Sequence, residues 1–182
     1  MIASLTEELL RLGHEVTVFA SGDSRTAGRL VPVAPLAMRA YQTPKRHLAD
    51  ALAMLALEKA FAMAPAFDMI HVHAGLVAFP LMRRSVIPTV ATVYGAIDAP
   101  EVLKLHREFQ ELVLVATSPE QVQHAPDLNW QAVIPSASSM GESDHPASGE
   151  RIAQAYESVY EWRALRRFSD RPNRALALCH QV

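Results

Sequence analysis

A chain of 182 residues, half of them hydrophobic and a fifth charged, is long enough for one globular domain with its own core and too apolar to remain disordered. Its formal net charge of −2 gives no global attraction to nucleic acid or to an anionic membrane, so the expected partner is a small molecule or a protein. The single cysteine, Cys179, excludes an intramolecular disulfide and a cysteine-rich zinc cluster and fits a reducing compartment.

The first residues carry Glu7 and Glu8 where a secretory leader would carry bases. The longest apolar stretch, Ala51 to Ala66, is broken by Glu58 and Lys59 and is too short to cross a bilayer. The expectation is a cytoplasmic chain with no transmembrane segment.

Ile2, Leu5, Leu9 and Leu12 recur at helical spacing, and Gly13 stops the helix they define. His14 to Ala20 reads as a strand closed by the turn Ser21-Gly22-Asp23-Ser24. A second strand is expected around 30–34, with Pro32 confining it to an edge or a bulge. Thr43-Pro44 predicts the start of a long helix reaching Pro65. Phe67 to Gly75 is a strand running into a small-residue turn, Leu76 to Arg83 fits the helix after it, and Pro88 to Gly95 repeats the pattern of strand and glycine. Asp98 and Glu101 have capping-box spacing ahead of a helix to Phe109, and Ser118 and Gln121 have it ahead of a shorter one. Strands are expected at 112–116 and 130–134. Residues 135–149 turn to Ser, Gly, Pro, Asp and Glu, the composition of a linker. An amphipathic helix follows over 150–168, carrying Ile152, Tyr156 and Val159 on one face. The tail 169–182 has no clear pattern.

The ordered segments Leu12 to Ser24, Phe67 to Gly75, Pro88 to Gly95 and Asp127-Leu128-Asn129-Trp130 together resemble a family 4 retaining glycosyltransferase of the GT-B fold. The resemblance covers roughly three-quarters of the chain. It implies an α/β fold: a Rossmann-like N-terminal, acceptor-side domain over 1–134, flanked by helices, with the C-terminal amphipathic helix packing back on it. Members normally begin with a strand and a glycine-rich loop, and continue into a second domain that binds the nucleotide sugar. Neither has a counterpart here, so the expected sheet is incomplete and the chain a truncated transferase. A sheet lacking its central strand would leave two unpaired edges, which predicts a rearranged sheet or a homo-oligomer paired through those edges.

His71 and His73, two apart on a strand, point to one side and reach the C-terminal edge where parallel sheets bind ligands. The resemblance sets them beside the acceptor cleft, with Tyr94 where the family carries a histidine before glycine. Its phenol, with an ordinary pKa near 10, is a poor base. On this reading His71, His73 and Tyr94 are the catalytic candidates, and Gly75, Gly95, Asp98 and Ser118 the substrate-binding ones, with no cofactor and with a nucleotide sugar or sugar acceptor as partner. Ordinary hydrogen-bonded histidines explain the pair equally well. A His-x-His site for a divalent metal, completed by Asp98 or His106 as in metal-dependent hydrolases, is a further alternative. A non-catalytic oligomerising module is another. Asp23, Ser24 and Arg25 are turn formers or ligand contacts; Arg163, Arg166 and Arg167 form a solvated face or an anion site. No Walker loop, Gly-x-Ser-x-Gly elbow or Cys-x-x-Cys pair is present.

Overall fold

The computed structural model describes residues 2–37, 40, 46–135, 147–165 and 175–180. Helix α1 (Ile2–Arg11) leads into strand β1 (Glu15–Ser21), followed by β2 (Arg29–Ala34), α2 (Arg46–Ala62), β3 (Met69–His73), α3 (Phe79–Arg83), β4 (Thr89–Val93), α4 (Pro100–Arg107), β5 (Leu114–Ala116), α5 (Pro119–His124), β6 (Trp130–Val133), α6 (Ala147–Leu165) and β7 (Ala175–His180). The start of the long helix at Thr43-Pro44 and most of the 135–149 linker lie outside the described residues.

The seven strands form one sheet in the order β2-β1-β7-β3-β4-β5-β6, parallel throughout. This is a Rossmann-like α/β fold, and its described strands run across the sheet without a gap. The tail, which had no clear pattern in the sequence, holds a strand in its last apolar run. Residues 175–180 form the strand at the centre, in register with Glu15 to Phe19 of β1 on one side and with Met69 to His73 of β3 on the other. Asp68 fastens the start of β7 twice: its backbone N–H donates to the Ala175 carbonyl, and its Oδ2 accepts from the Ala175 N–H, both at 2.8 Å. The gap on which pairing between chains was predicted is thus filled from within the chain.

Alternation along β7 separates two cores. Leu176 and Leu178 face α1 and α6, packing with Leu5, Leu9, Val16, Val18 and Met69. Ala177 and Cys179 face α2, whose Ala56, Leu57 and Ala60 meet them in the other core. Small side chains on both surfaces let α2 lie close to the sheet centre. Pro32 sits on β2, an edge strand, beside a register shift between Ala20 and Ser21. A residue without a backbone N–H is tolerated in both settings.

One predicted cap moves. The residue before α4 is Ala99, in extended conformation with no side-chain cap, rather than Asp98. Pro100 takes the first helical position and holds its predecessor extended, which leaves the Asp98 carboxylate outside the helix. The Ser118 and Gln121 capping box on α5 forms as read.

The link from β1 to β2 passes tightly over the sheet. A Cβ on Gly28 would stand 2.7 Å from the Val16 carbonyl oxygen and 3.0 Å from the Thr6 methyl, so this position requires glycine for space. Gly28→Ala is expected to destabilise the protein by about 1–3 kcal/mol, and Leu178→Ala, at a fully buried site, by about 2–5 kcal/mol. Urea unfolding of each variant measures both; an unchanged midpoint for Leu178→Ala would mean that β7 does not occupy the sheet centre.

Candidate functional site

Chain connectivity runs outward from the sheet centre in both directions, toward β2 on one side and toward β6 on the other. The crevice at the C-terminal ends of the strands where that direction reverses is the usual ligand position in such sheets. Here those ends are β7 and β3, and β3 ends in His71, Val72 and His73.

Strand alternation places both histidines on the α6 face, with ring centroids 4.0 Å apart. Neither is open to solvent: His71 is 1% exposed and His73 3%. His71 Nδ1 lies 2.6 Å from the Tyr160 hydroxyl, its Nε2 2.7 Å from Thr92 Oγ1, and Thr92 Oγ1 2.9 Å from the Tyr156 hydroxyl. A neutral imidazole carries one N–H, so one of the two hydroxyls flanking His71 donates to the ring and the other accepts from it. Burial without a countercharge pushes the His71 pKa down to about 3 and that of Tyr156 up to about 12, with Tyr160 well above its ordinary value. This hydrogen-bonded network of His71, Tyr156, Tyr160 and Thr92 is therefore neutral at physiological pH.

His73 Nδ1 meets the Tyr94 hydroxyl at 2.7 Å. The Tyr94 ring is 39% exposed, so this residue connects the buried pair to the surface. Its phenol is raised well above 10, first by burial and then by Tyr156, and it stays protonated, able to donate but not to act as a base.

Next to Tyr94 the chain turns at Gly95, with φ of +75°, into a cavity of about 270 Å³ between the ends of β4 and β5. Gly95, Ile97 and Asp98 line one side, and Ser118, Glu120 and Gln121 the other, with His124 completing the wall. Ile97 is buried and supplies an apolar contact. The Ser118 hydroxyl holds the Glu120 carboxyl below its ordinary range, so Glu120 is an anion at neutral pH. The His124 ring nitrogen donates to the Glu120 carbonyl at 2.8 Å. Among the described residues no lysine or arginine lines the cavity.

Three of the sequence-predicted binding residues, Gly95, Asp98 and Ser118, therefore share one cavity. Gly75, with φ of +67°, opens a 3-10 turn over Gly75–Ala78 after β3 and is not among the lining. His71 and His73 lie beneath α6, and both ring nitrogens of His71 are engaged by hydroxyls. His106 binds the Val102 carbonyl and packs on Phe79 in the opposite core, away from the pair. Among the described residues no three His, Cys, Asp or Glu side chains are grouped to hold a metal ion. Asp23 and Ser24 fold their own turn: Asp23 Oδ1 accepts from the Ala37 N–H at 2.9 Å, and Ser24 Oγ meets Ser21 Oγ at 2.9 Å. The side chains of Arg163, Arg166 and Arg167 lie outside the described residues. Gln121, read from the sequence chiefly as a cap, is a cavity residue; its spacing from Ser118 and the resemblance of both to the family's segment at this position were the signals.

The depressed His71 pKa gives stability a definite pH dependence. The unfolded chain takes up this proton near pH 6.5 and the folded chain near 3, so the unfolded state binds more protons in that window. Stability rises with pH there and is lost as pH falls, by up to ~1.4 kcal/mol per pH unit from this group. Urea midpoints measured between pH 7 and pH 4 are expected to fall more steeply in the wild type than in His71→Gln; parallel slopes would contradict a neutral, buried His71.

The family model for Glycosyltransferase Family 4 matches residues 1–132, which span β1 to β5, both histidines, Tyr94 and the entire cavity lining. No curated protein matches the sequence. With the greater part of its length matched and a Rossmann-like sheet beneath it, the chain belongs to glycosyltransferase family 4.

Proposed function

We propose that this chain binds the sugar acceptor of a glycosyl transfer from a nucleotide sugar, in the cavity between the Gly95 turn and α5. The observation that carries this reading is the cavity itself: about 270 Å³, at the ligand edge of the sheet, within the family-matched region. That volume is at the small end for ligand pockets and suits a single sugar ring. Its chemistry supports the acceptor over the donor. Asp98 and Glu120 offer carboxylate oxygens that accept from sugar hydroxyls, and Ile97 gives the ring an apolar floor. A diphosphate would meet those carboxylates with no lysine or arginine among the described residues of the lining to offset them.

On this reading Gly95, Asp98 and Ser118 contact the acceptor, and Tyr94, held by His73, donates a hydrogen bond at the rim. His71 acts structurally, holding α6 against β3 and β4 through Tyr160 and Thr92. The transferred sugar's phosphates are neutralised by groups outside this cavity.

Titration of the 15N-labelled protein with a panel of neutral monosaccharides is expected to shift the amides of Gly95 to Asp98 and Ser118 to His124 saturably for at least one sugar. Asp98→Ala is expected to weaken that binding about tenfold, as loss of a charged hydrogen-bond acceptor does. Shifts confined to other surfaces, or none with any sugar, would sink the assignment.

A further inference from the structure

The cavity's two walls belong to segments far apart in sequence, and one buried side chain joins them. The Gln121 carboxamide is 4% exposed. Its Nε2 donates to the Gly95 carbonyl at 2.7 Å and to the Val93 carbonyl at 3.1 Å. Its Oε1 accepts from the Thr117 N–H at 2.7 Å and from the Ser118 N–H at 3.2 Å. Both donor positions and both acceptor positions of the amide are used, and the neighbours fix its orientation: two carbonyls on one side, two N–H groups on the other.

A capping box accounts for only half of this. Glutamate caps a helix as well as glutamine does, because the cap needs an acceptor alone. The two carbonyls at the end of β4 need donors, and among side chains of this length only a carboxamide presents donors on one side and an acceptor on the other. Steric packing does not supply the restraint, because a Cβ built on Gly95 would have nothing within 4 Å. The left-handed turn at Gly95 stands open on that side and is tied down by hydrogen bonds. The second tie, from Thr117 Oγ1 at 3.0 Å, reaches Val93 and not Gly95.

We infer that Gln121 is a positioning residue for the acceptor: its carboxamide clasps the Gly95 turn to the start of α5 and so sets the separation of Asp98 from Ser118 across the cavity. This rests on the acceptor reading above. Gln121 itself reaches the sugar through the geometry it imposes on those two residues.

Gln121→Glu tests the inference, because the substitution keeps size and cap but turns the donor into a second acceptor. As a carboxylate it faces two carbonyl oxygens and releases the turn; once protonated it donates to one of them and restores it. The amide nitrogens of Tyr94 and Ala96 share peptide groups with the Val93 and Gly95 carbonyls and report these contacts directly. In Gln121→Glu both are expected to titrate in one transition above the ordinary carboxylate range, with no counterpart in the wild type. Affinity for a monosaccharide that the wild type binds should drop about tenfold above that transition and recover below it. Gln121→Met, which can neither donate nor titrate, should show displaced Tyr94 and Ala96 signals and weak binding at every pH, and it serves if the glutamate variant fails to fold. If the wild type binds no monosaccharide, the acceptor reading fails while the two nitrogens still decide the clasp. If Tyr94 and Ala96 are indifferent to pH in Gln121→Glu and undisturbed in Gln121→Met, the inference is overturned.

Discussion

Everything in this fold depends on a parallel strand being accepted at the centre of the sheet. β1 pairs only with β2 and β7, and β3 only with β4 and β7. Remove β7, and the described strands separate into a two-stranded and a four-stranded piece, with a row of unpaired backbone groups on each. In the dry interior each such group costs on the order of 1–3 kcal/mol, so the halves have no stable arrangement apart. The side chains of β7 match the slot: leucines toward α1 and α6, and Ala177 and Cys179 toward the alanines of α2. Burial drives the Cys179 thiol pKa well up, so here cysteine acts as a small apolar side chain rather than as a nucleophile.

The polar network under α6 answers a different requirement. Tyr156, Tyr160, His71 and Thr92 are all buried, and apolar residues of similar volume would stabilise the interface at least as well. What the network adds is uniqueness. Sliding α6 by one residue moves it 1.5 Å and turns it by 100°, which would strand the imidazole and the threonine hydroxyl away from water. Exposed ion pairs, Arg11 with Glu150 at 2.9 Å among them, carry too little energy to impose such a register. Position along the helix is therefore fixed by the penalty on wrong placements, more than by any gain from the right one.

Much of this was legible in the sequence, for reasons that differ by element. β1, β3 and β4 combine β-branched residues with glycine or turn signals at their ends, so local preference and final structure agree. The same alternation placed His71 and His73 on one face. It could not say what covers that face, because α6 lies some eighty residues later and its contacts are not local. β7 was illegible for a sharper reason. Ala-Leu-Ala-Leu-Cys-His has no β-branched residue, and alanine and leucine favour helix; only the vacancy between β1 and β3 makes it a strand, a tertiary override of propensity. At α4 the acid spacing pointed to Asp98 as the cap, whereas Pro100 had already determined which residue stands outside the helix. At Gln121 a complete local explanation concealed a second, long-range use of the same amide.

The place of β7 in the chain also bears on how the protein is made. A ribosome delivers the other described strands before the one that belongs between β1 and β3, so until β7 emerges the facing sides of β1 and β3 are two apolar, hydrogen-bond-hungry margins. Such margins invite pairing with whatever strand comes within reach, and the contacts that close them span most of the sequence, which slows their formation. Co-translational folding of this domain therefore stops short of its core. Its yield in a cell depends on how well the unfinished sheet is shielded until β7 emerges.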